Sequence, residues 1–236
     1  MVGEVRAVLS VAVLYPELLG TYGDGGNGLV VFERARRRGV ETTLRVVGLH
    51  DDVPGADLYL LGGGEDGPQR LACDLLASSS FAARVADGAY VLAVCAGLQL
   101  LGRTFSVEGD DEYAGLGLVD AVTRRGLKRS VGELAVQVGD RLLVGFENHG
   151  GRTTLGDGVE ALGAVVRGRA NDGALDGYRT GRIWATYAHG PVLAMNPWFC
   201  DELLEAVLGR ALEPLDSVAD RLYEQRRAVL RGAGRA

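Results

Sequence analysis

The stretch Val91-Leu92-Ala93-Val94-Cys95-Ala96-Gly97-Leu98-Gln99-Leu100-Leu101-Gly102 decides the fold. Tyr90 to Val94 is a short apolar run of the kind that forms a strand buried on both faces. A helix from about Gly97 follows with no room for a loop. Cys95 therefore sits on a tight strand-to-helix turn, the geometry of a nucleophile elbow. Amides at a helix start favour a thiolate, and small Ala96 and Gly97 let the turn close around an accessible sulfur. The plainer alternative is an inert buried cysteine, where most free cysteines end up. The turn favours the nucleophile.

Upstream, Val5 to Leu14, Thr43 to Val47 and Asp57 to Leu61 read as strands. A helix from Asn27, as its cap, to Arg38 turns Leu29, Val31, Phe32 and Ala35 inward and stops at Gly39. Gln69 to Asp87 reads as helix, interrupted at Ser78-Ser79-Ser80 and ended by Gly88. This alternation predicts an α/β fold: a doubly wound, mostly parallel sheet with helices on both faces. After Gly102 the pattern changes to short strands between glycine-rich turns, an antiparallel extension. They are Leu118–Val122, Leu134–Val138, Leu142–Phe146, Ala164–Val166 and Ile183–Tyr187. Helix returns at Trp198–Leu208 and Leu215–Leu230. The expectation is a single domain, 1–236, with a C-terminal helix from about 215.

The chain has 236 residues, 47% of them hydrophobic and 24% charged, which excludes global disorder. A net charge of −6 argues against a general nucleic-acid binder. No apolar run approaches the roughly 18 residues of a membrane helix, and Val8–Leu14 lacks the flanks of a cleaved signal. A cytoplasmic protein without membrane insertion is expected. Three cysteines, Cys73, Cys95 and Cys200, form no C-x-x-C pair, so neither a disulfide framework nor a zinc ribbon is expected. Cys73 and Cys200 fall in helices and read as packing residues. No metal-ligand cluster, P-loop lysine or cofactor motif is present.

A cysteine nucleophile needs a base. His50 lies beside Asp51 and Asp52 and reads as solvated surface. His189, in Tyr187-Ala188-His189-Gly190-Pro191, follows a strand and precedes a glycine. His149 lies in the polar loop Phe146-Glu147-Asn148-His149-Gly150-Gly151-Arg152-Thr153. Sequence distance does not choose between the two. Gly62-Gly63-Gly64 after a strand suits backbone amides that approach an oxyanion, or equally a plain turn. Gly23-Asp24-Gly25-Gly26-Asn27-Gly28 matches G-x-G-x-x-G, but Tyr15 to Tyr22 separate it from its strand, so it reads as a turn capping the next helix.

Together and in this order, Tyr22 to Asn27, Gly62 to Asp66, Cys95 to Gln99, Gly145 to Thr153 and Tyr187 to Pro191 resemble the class I glutamine amidotransferases. The branch is the one related to cobyric acid synthase, and the loop Phe146 to His149 points to the glutaminase subunits of lipid II isoglutaminyl synthase. The resemblance spans roughly 22–197. It implies that Cys95 is the nucleophile and His189 the base. Gly63, Gly64, Ala96, Gln99 and Arg129 would form the oxyanion and substrate site. Glu147, Asn148 and His149 would orient a catalytic group or meet a partner. It also implies L-glutamine as substrate, no cofactor, and ammonia transfer to a MurT-like ligase that binds ATP and amidates the D-glutamate of lipid II. Two positions depart from the pattern: Ala96 replaces the glycine after the nucleophile, and Pro191 stands where many relatives have a glutamate. A third group orienting His189 must come from elsewhere, with Glu147 a guess. An amidotransferase for another acceptor such as a corrinoid, a stand-alone cysteine hydrolase and a non-catalytic binding subunit stay open.

Overall fold

The computed structural model describes residues 8–106 and 111–233, with side chains through 229. In chain order the elements are β1 (Leu9–Leu14), α1 (Gly26–Arg37), β2 (Thr42–Val47), β3 (Leu58–Leu61), α2 (Asp66–Ala77), α3 (Phe81–Ala86) and β4 (Tyr90–Val94). Then come α4 (Ala96–Leu100), β5 (Thr104–Ser106), β6 (Glu112–Ala114), β7 (Ala121–Val138), β8 (Arg141–Leu155), β9 (Gly163–Arg167) and β10 (Leu175–Asp176). The chain returns through β11 (Tyr178–Thr180) and β12 (Ile183–Thr186), followed by α5 (Val192–Met195), α6 (Pro197–Leu208) and α7 (Val218–Ala233).

The first sheet has the order β11-β12-β4-β3-β1-β2. All its pairings are parallel except β11 with β12 at one edge. Its inner strands are buried almost throughout: every residue of Leu58 to Leu61 and Ile183 to Thr186 is buried, and only Ser10 of β1 and Tyr90 of β4 are half-buried. Each such aliphatic side chain withdrawn from water contributes about 1.5–3 kcal/mol, which is why these strands read as unbroken apolar runs. Edge strand β2 alternates half-buried with exposed residues from Thr42 to Arg45, then exposes Val46 and buries Val47.

The register fixes where function can gather. Val13 lies beside Leu60, Leu61 beside Ala93, and Val94 beside Thr186. The carboxyl ends of β1, β3, β4 and β12 thus share one edge. The segments leaving them carry Asp24, the three glycines, Cys95 and His189. Ligand sites form at this edge of open α/β sheets because several loops converge on it.

A second sheet, β10-β9-β7-β5-β6 with β8 paired to β7, is built around one long hairpin. Its turn is Gly139-Asp140, with Gly139 at φ +56°, a left-handed position suited to glycine. Several expectations change here. The runs Leu134–Val138 and Leu142–Phe146 are only the apolar segments of 18- and 15-residue strands whose remaining lengths are polar and glycine-rich. Leu118 precedes β7, which starts at Ala121. Short strands β5, β6, β10 and β11 give no periodic signal in the sequence. Leu29 is 64% exposed, so α1 buries Val31 and Ala35 but not that residue. Asn27 does not cap α1: the N-cap is Gly25, and Asn27 Oδ1 instead accepts from Leu193 N at 2.9 Å. The first part of the expected Val5–Leu14 strand, through Ala7, lies outside the described residues. No helix among the described residues is long and apolar enough to cross a membrane.

Candidate active site

Cys95 has φ +52° and ψ −105°, a strained conformation for a residue with a Cβ, and such strain stands at about 1–3 kcal/mol. The surroundings impose it. Cys95 N donates to Thr186 O at 3.0 Å, Gln99 N donates to Cys95 O at 3.0 Å, and Gly97 N donates to Gly62 O at 3.1 Å. A Cβ on Gly97 would come within 2.8 Å of Leu61 Cβ, so the glycine lets α4 press against β3. Helix α4 has only five residues; what it offers Cys95 is the local amide of Ala96 rather than a long dipole.

His189 is fully buried and held from several sides. Its backbone exchanges hydrogen bonds with Phe146, N to O at 2.8 Å and O from N at 3.3 Å. Gly145 permits this approach, since a Cβ there would lie 2.6 Å from His189 O. The chain before it is tied down by buried Asp176, which accepts from Thr186 Oγ1 and Tyr187 N. Phe146 stacks on the imidazole at 5.4 Å and Tyr22 meets it edge-on at 4.6 Å.

The ring's Nδ1 lies 2.8 Å from Oδ2 of Asp24, whose side chain is fully buried. A carboxylate oxygen only accepts, so Nδ1 carries a proton and Nε2 is the atom left to exchange one. Nε2 makes no formed hydrogen bond among the described residues. Burial alone would lower this imidazole's pKa, but Asp24 and the nearby Cys95 sulfur outweigh it and raise the pKa to about 9. Asp24 escapes the sequence reading, because its glycine-rich loop reads as a helix-capping turn. The available signal is an acid in the loop after the first strand of a parallel sheet, on the edge where sites form.

Glu147, the expected orienting group, does not touch His189. Its carboxylate accepts from Arg169 N at 2.8 Å and Ala170 N at 2.7 Å and contacts His149 Nε2 at 3.1 Å. Burial would raise its pKa, but His149 and these amides outweigh that and hold it low. The physical reason for the correction is register. Phe146 faces His189, and the alternation of β8 turns Glu147 the other way, toward Gly168–Ala170. His149 is fully engaged, with Nδ1 3.0 Å from Gly151 O and its ring stacked on Tyr187 at 3.9 Å. Burial pushes its pKa down.

Gly63 also departs from expectation. Its N–H donates to Asp24 Oδ2 at 2.9 Å and is not free for an oxyanion. The glycines serve close packing as well: a Cβ on Gly63 would lie 2.5 Å from His189 Cε1, and one on Gly64 2.4 Å from Leu18 O. The amides of Gly64 and Ala96 find no acceptor among the described residues.

A cleft opens onto Cys95, lined among others by Gly64, Gln69, Gln99, Arg129, Asn148 and His149. Gln99 is fixed by Gln69 Nε2, which donates to its Oε1 at 3.0 Å, and by its own donation to Tyr187 Oη at 3.1 Å. Arg129 lies across the opening, donating to Asn148 Oδ1 at 2.6 Å, to Asn148 O at 3.3 Å and to Tyr22 Oη at 3.4 Å. The structure thus gathers Cys95, Gly64, Gln99, Arg129, Asn148 and His149 around one cleft, while His189 is buried beside Cys95 and Ala96 follows it in the chain. Glu147 and Gly63 are not part of the cleft lining. His50, Cys73 and Cys200 are elsewhere; burial drives the Cys73 thiol up to about 11 and that of Cys200 higher still. Among the described residues no three His, Cys, Asp or Glu side chains gather as a metal site.

Residues 10–197 match the model of the CobB/CobQ-like glutamine amidotransferase domain. The chain belongs to that family. The glutamine amidotransferase is 34% identical over 203 residues to subunit GatD of the glutamine-hydrolysing lipid II isoglutaminyl synthase of Streptococcus pneumoniae, covering 82% of this chain and 78% of the relative. It is 31% identical to the Staphylococcus aureus subunit of the same name, with 84% of each covered. A cobyric acid synthase of Pelotomaculum thermopropionicum is 32% identical over 77% of this chain but only 37% of its own length. Among solved structures, a glutamine amidotransferase shares the fold with TM-score 0.56 at 22% identity, over 84% of this amidotransferase and 98% of that chain.

Proposed function

We propose that this amidotransferase is the glutaminase subunit of a lipid II isoglutaminyl synthase. In this reading it hydrolyses L-glutamine through a Cys95 thioester and supplies ammonia to a MurT-like ATP-dependent ligase, which amidates the D-glutamate of lipid II. The observation that carries the chemistry is Cys95 on its strained elbow beside the buried His189–Asp24 pair. The subunits named GatD, matched over most of their length, support the choice of acceptor.

The Cys95 thiolate attacks the side-chain carbonyl carbon of glutamine, and the oxyanion is held by the amides of Gly64 and Ala96. As the tetrahedral adduct collapses, the carbon–nitrogen bond breaks and His189 Nε2–H protonates the departing nitrogen, releasing ammonia. The neutral imidazole then takes a proton from water, whose oxygen attacks the thioester. Collapse releases glutamate, restores the thiolate and leaves His189 protonated. Asp24 is a positioning residue: it fixes the tautomer of His189, stabilises its cation and, through the Gly63 amide, ties the base to the loop that presents Gly64. Arg129 suits the α-carboxylate of glutamine at the cleft mouth.

The test is glutamate release by the purified chain, alone and with a MurT-like ligase, beside Cys95→Ala. Release that depends on Cys95 and rises with the ligase is expected; unchanged release by Cys95→Ala refutes the mechanism. The cobyric acid synthase relatives favour a second reading, a corrinoid acceptor. It is preferred if a corrinoid-amidating partner, and not the MurT-like ligase, stimulates release.

A further inference from the structure

Strand β7 loses its register against β8 between Arg125 and Ser130, so Gly126 to Arg129 bulge out at the mouth of the cleft. The bulge leaves Leu127 wholly exposed and Val131 70% exposed, with Arg124, Arg125, Lys128 and Arg129 exposed around them. Among the described residues no carboxylate lies within ion-pair distance of these four or of Arg152, whereas Arg34, Arg36, Arg37 and Arg38 are all paired. The register even sets Arg124 directly opposite Arg152. Like charges facing across a ladder destabilise it. The bulge is nonetheless held in shape: Arg152 donates to Gly151 O at 2.6 Å, Lys128 O at 2.8 Å and Ser130 Oγ at 2.9 Å, spanning its base. A chain of net charge −6 thus sets four cations, without an ion pair among the described residues, around an exposed leucine at the cleft that holds Cys95, whose lining also includes Glu65 and Asp66.

We propose that this rim is the docking surface for the protein that receives the ammonia, and that the partner presents an acidic face with an apolar socket for Leu127. The proposal rests on the functional reading above. An apolar anchor ringed by charge is the make-up of a protein interface, and the charge sets orientation and encounter rate. A nucleic acid would use the cations but leave Leu127 in water. Arg125, Leu127 and Arg129 line the cleft mouth, so a protein seated on them caps it and turns released ammonia away from bulk water.

The experiment titrates the full chain with a purified MurT-like ligase by calorimetry at about 50 mM and about 300 mM salt, where the screening length changes more than twofold. The Arg124→Glu/Lys128→Glu double variant alters cations outside the cleft lining. Its glutamate release without the ligase should match wild type. Its melting temperature should not fall, because the carboxylate introduced in place of Arg124 would face Arg152. Wild-type affinity should drop with salt, and the double variant should bind roughly tenfold or more weakly with a flatter salt dependence. A wild-type complex that the double variant forms equally well overturns the rim while leaving the functional reading standing. Binding of a single-stranded oligonucleotide that the double variant loses, with ligase affinity unchanged, also overturns it. Failure of wild type to bind the ligase at either salt overturns the functional reading and the rim together.

Discussion

Replacing Asp24 by Asn isolates what its charge does. One carboxylate oxygen, Oδ2, receives both His189 Nδ1–H at 2.8 Å and Gly63 N–H at 2.9 Å, while Oδ1 is buried and unpartnered among the described residues. An asparagine with its oxygen in the Oδ2 position accepts both bonds, so the geometry is kept and only the charge is lost. The His189 pKa stands at about 9 against an ordinary 6.5, a difference of roughly 2.5 units or about 3 kcal/mol favouring the imidazolium. Burial opposes that charge, so without Asp24 the pKa should drop by at least a unit. In the proposed mechanism the acylation step needs His189 protonated to release ammonia. The basic limb of the kcat/KM profile for glutamate release should therefore lie near pH 9 in wild type and move down by a unit or more in Asp24→Asn. The rate should fall roughly 10²-fold or more at neutral pH, the scale of one lost general acid–base. Stability follows the same linkage. A folded-state pKa raised above the unfolded value stabilises fully below about pH 6.5, and this is lost as pH rises through about 9. Wild type should lose up to about 3 kcal/mol across that window, roughly 6–12 °C in Tm for a chain of this size, and Asp24→Asn should lose little. A variant with wild-type kcat and a basic limb still near pH 9 refutes both the pairing and the charge argument.

Gly63→Ala places a methyl 2.5 Å from His189 Cε1 and 3.3 Å from Asp24 Oδ2, so the ring must move. Glutamate release should fall by more than tenfold, with stability down by about 1–3 kcal/mol in a denaturant melt; wild-type activity would refute the packing role of this glycine. Glu147→Gln weakens the acceptor for the Arg169 and Ala170 amides and for His149, lowering stability by about 1–3 kcal/mol. Its pH profile should keep the wild-type basic limb, and a limb shifted as in Asp24→Asn would return Glu147 to the role of orienting His189.

Much of the site is legible before folding because its parts obey local rules. The elbow at Cys95 needs only an apolar strand, a small residue and a helix start in succession, and the structure places each of these. His189 and the glycine run can be placed at strand ends for the same reason. Glu147 defeats a local reading because its segment looks like a surface loop. In fact it continues β8, and strand alternation turns Glu147 away from the ring that its neighbour Phe146 covers. Gly63 defeats it too, because a free-looking glycine amide does not announce a carboxylate 39 residues earlier.

The sequence by itself determined the elements of the parallel sheet, the strand-to-helix turn at Cys95 and the family, since burial on both faces and tight turns write themselves into residue type over a few positions. Only the tertiary structure decided that Asp24 pairs with His189 across 165 residues, that Glu147 serves His149, and that a hairpin bulge brings Lys128 and Arg129, beside Arg125, to the cleft without an ion pair among the described residues. Those contacts depend on strand order and register. Both are set by the summed packing of the whole sheet and leave no periodic trace along the chain.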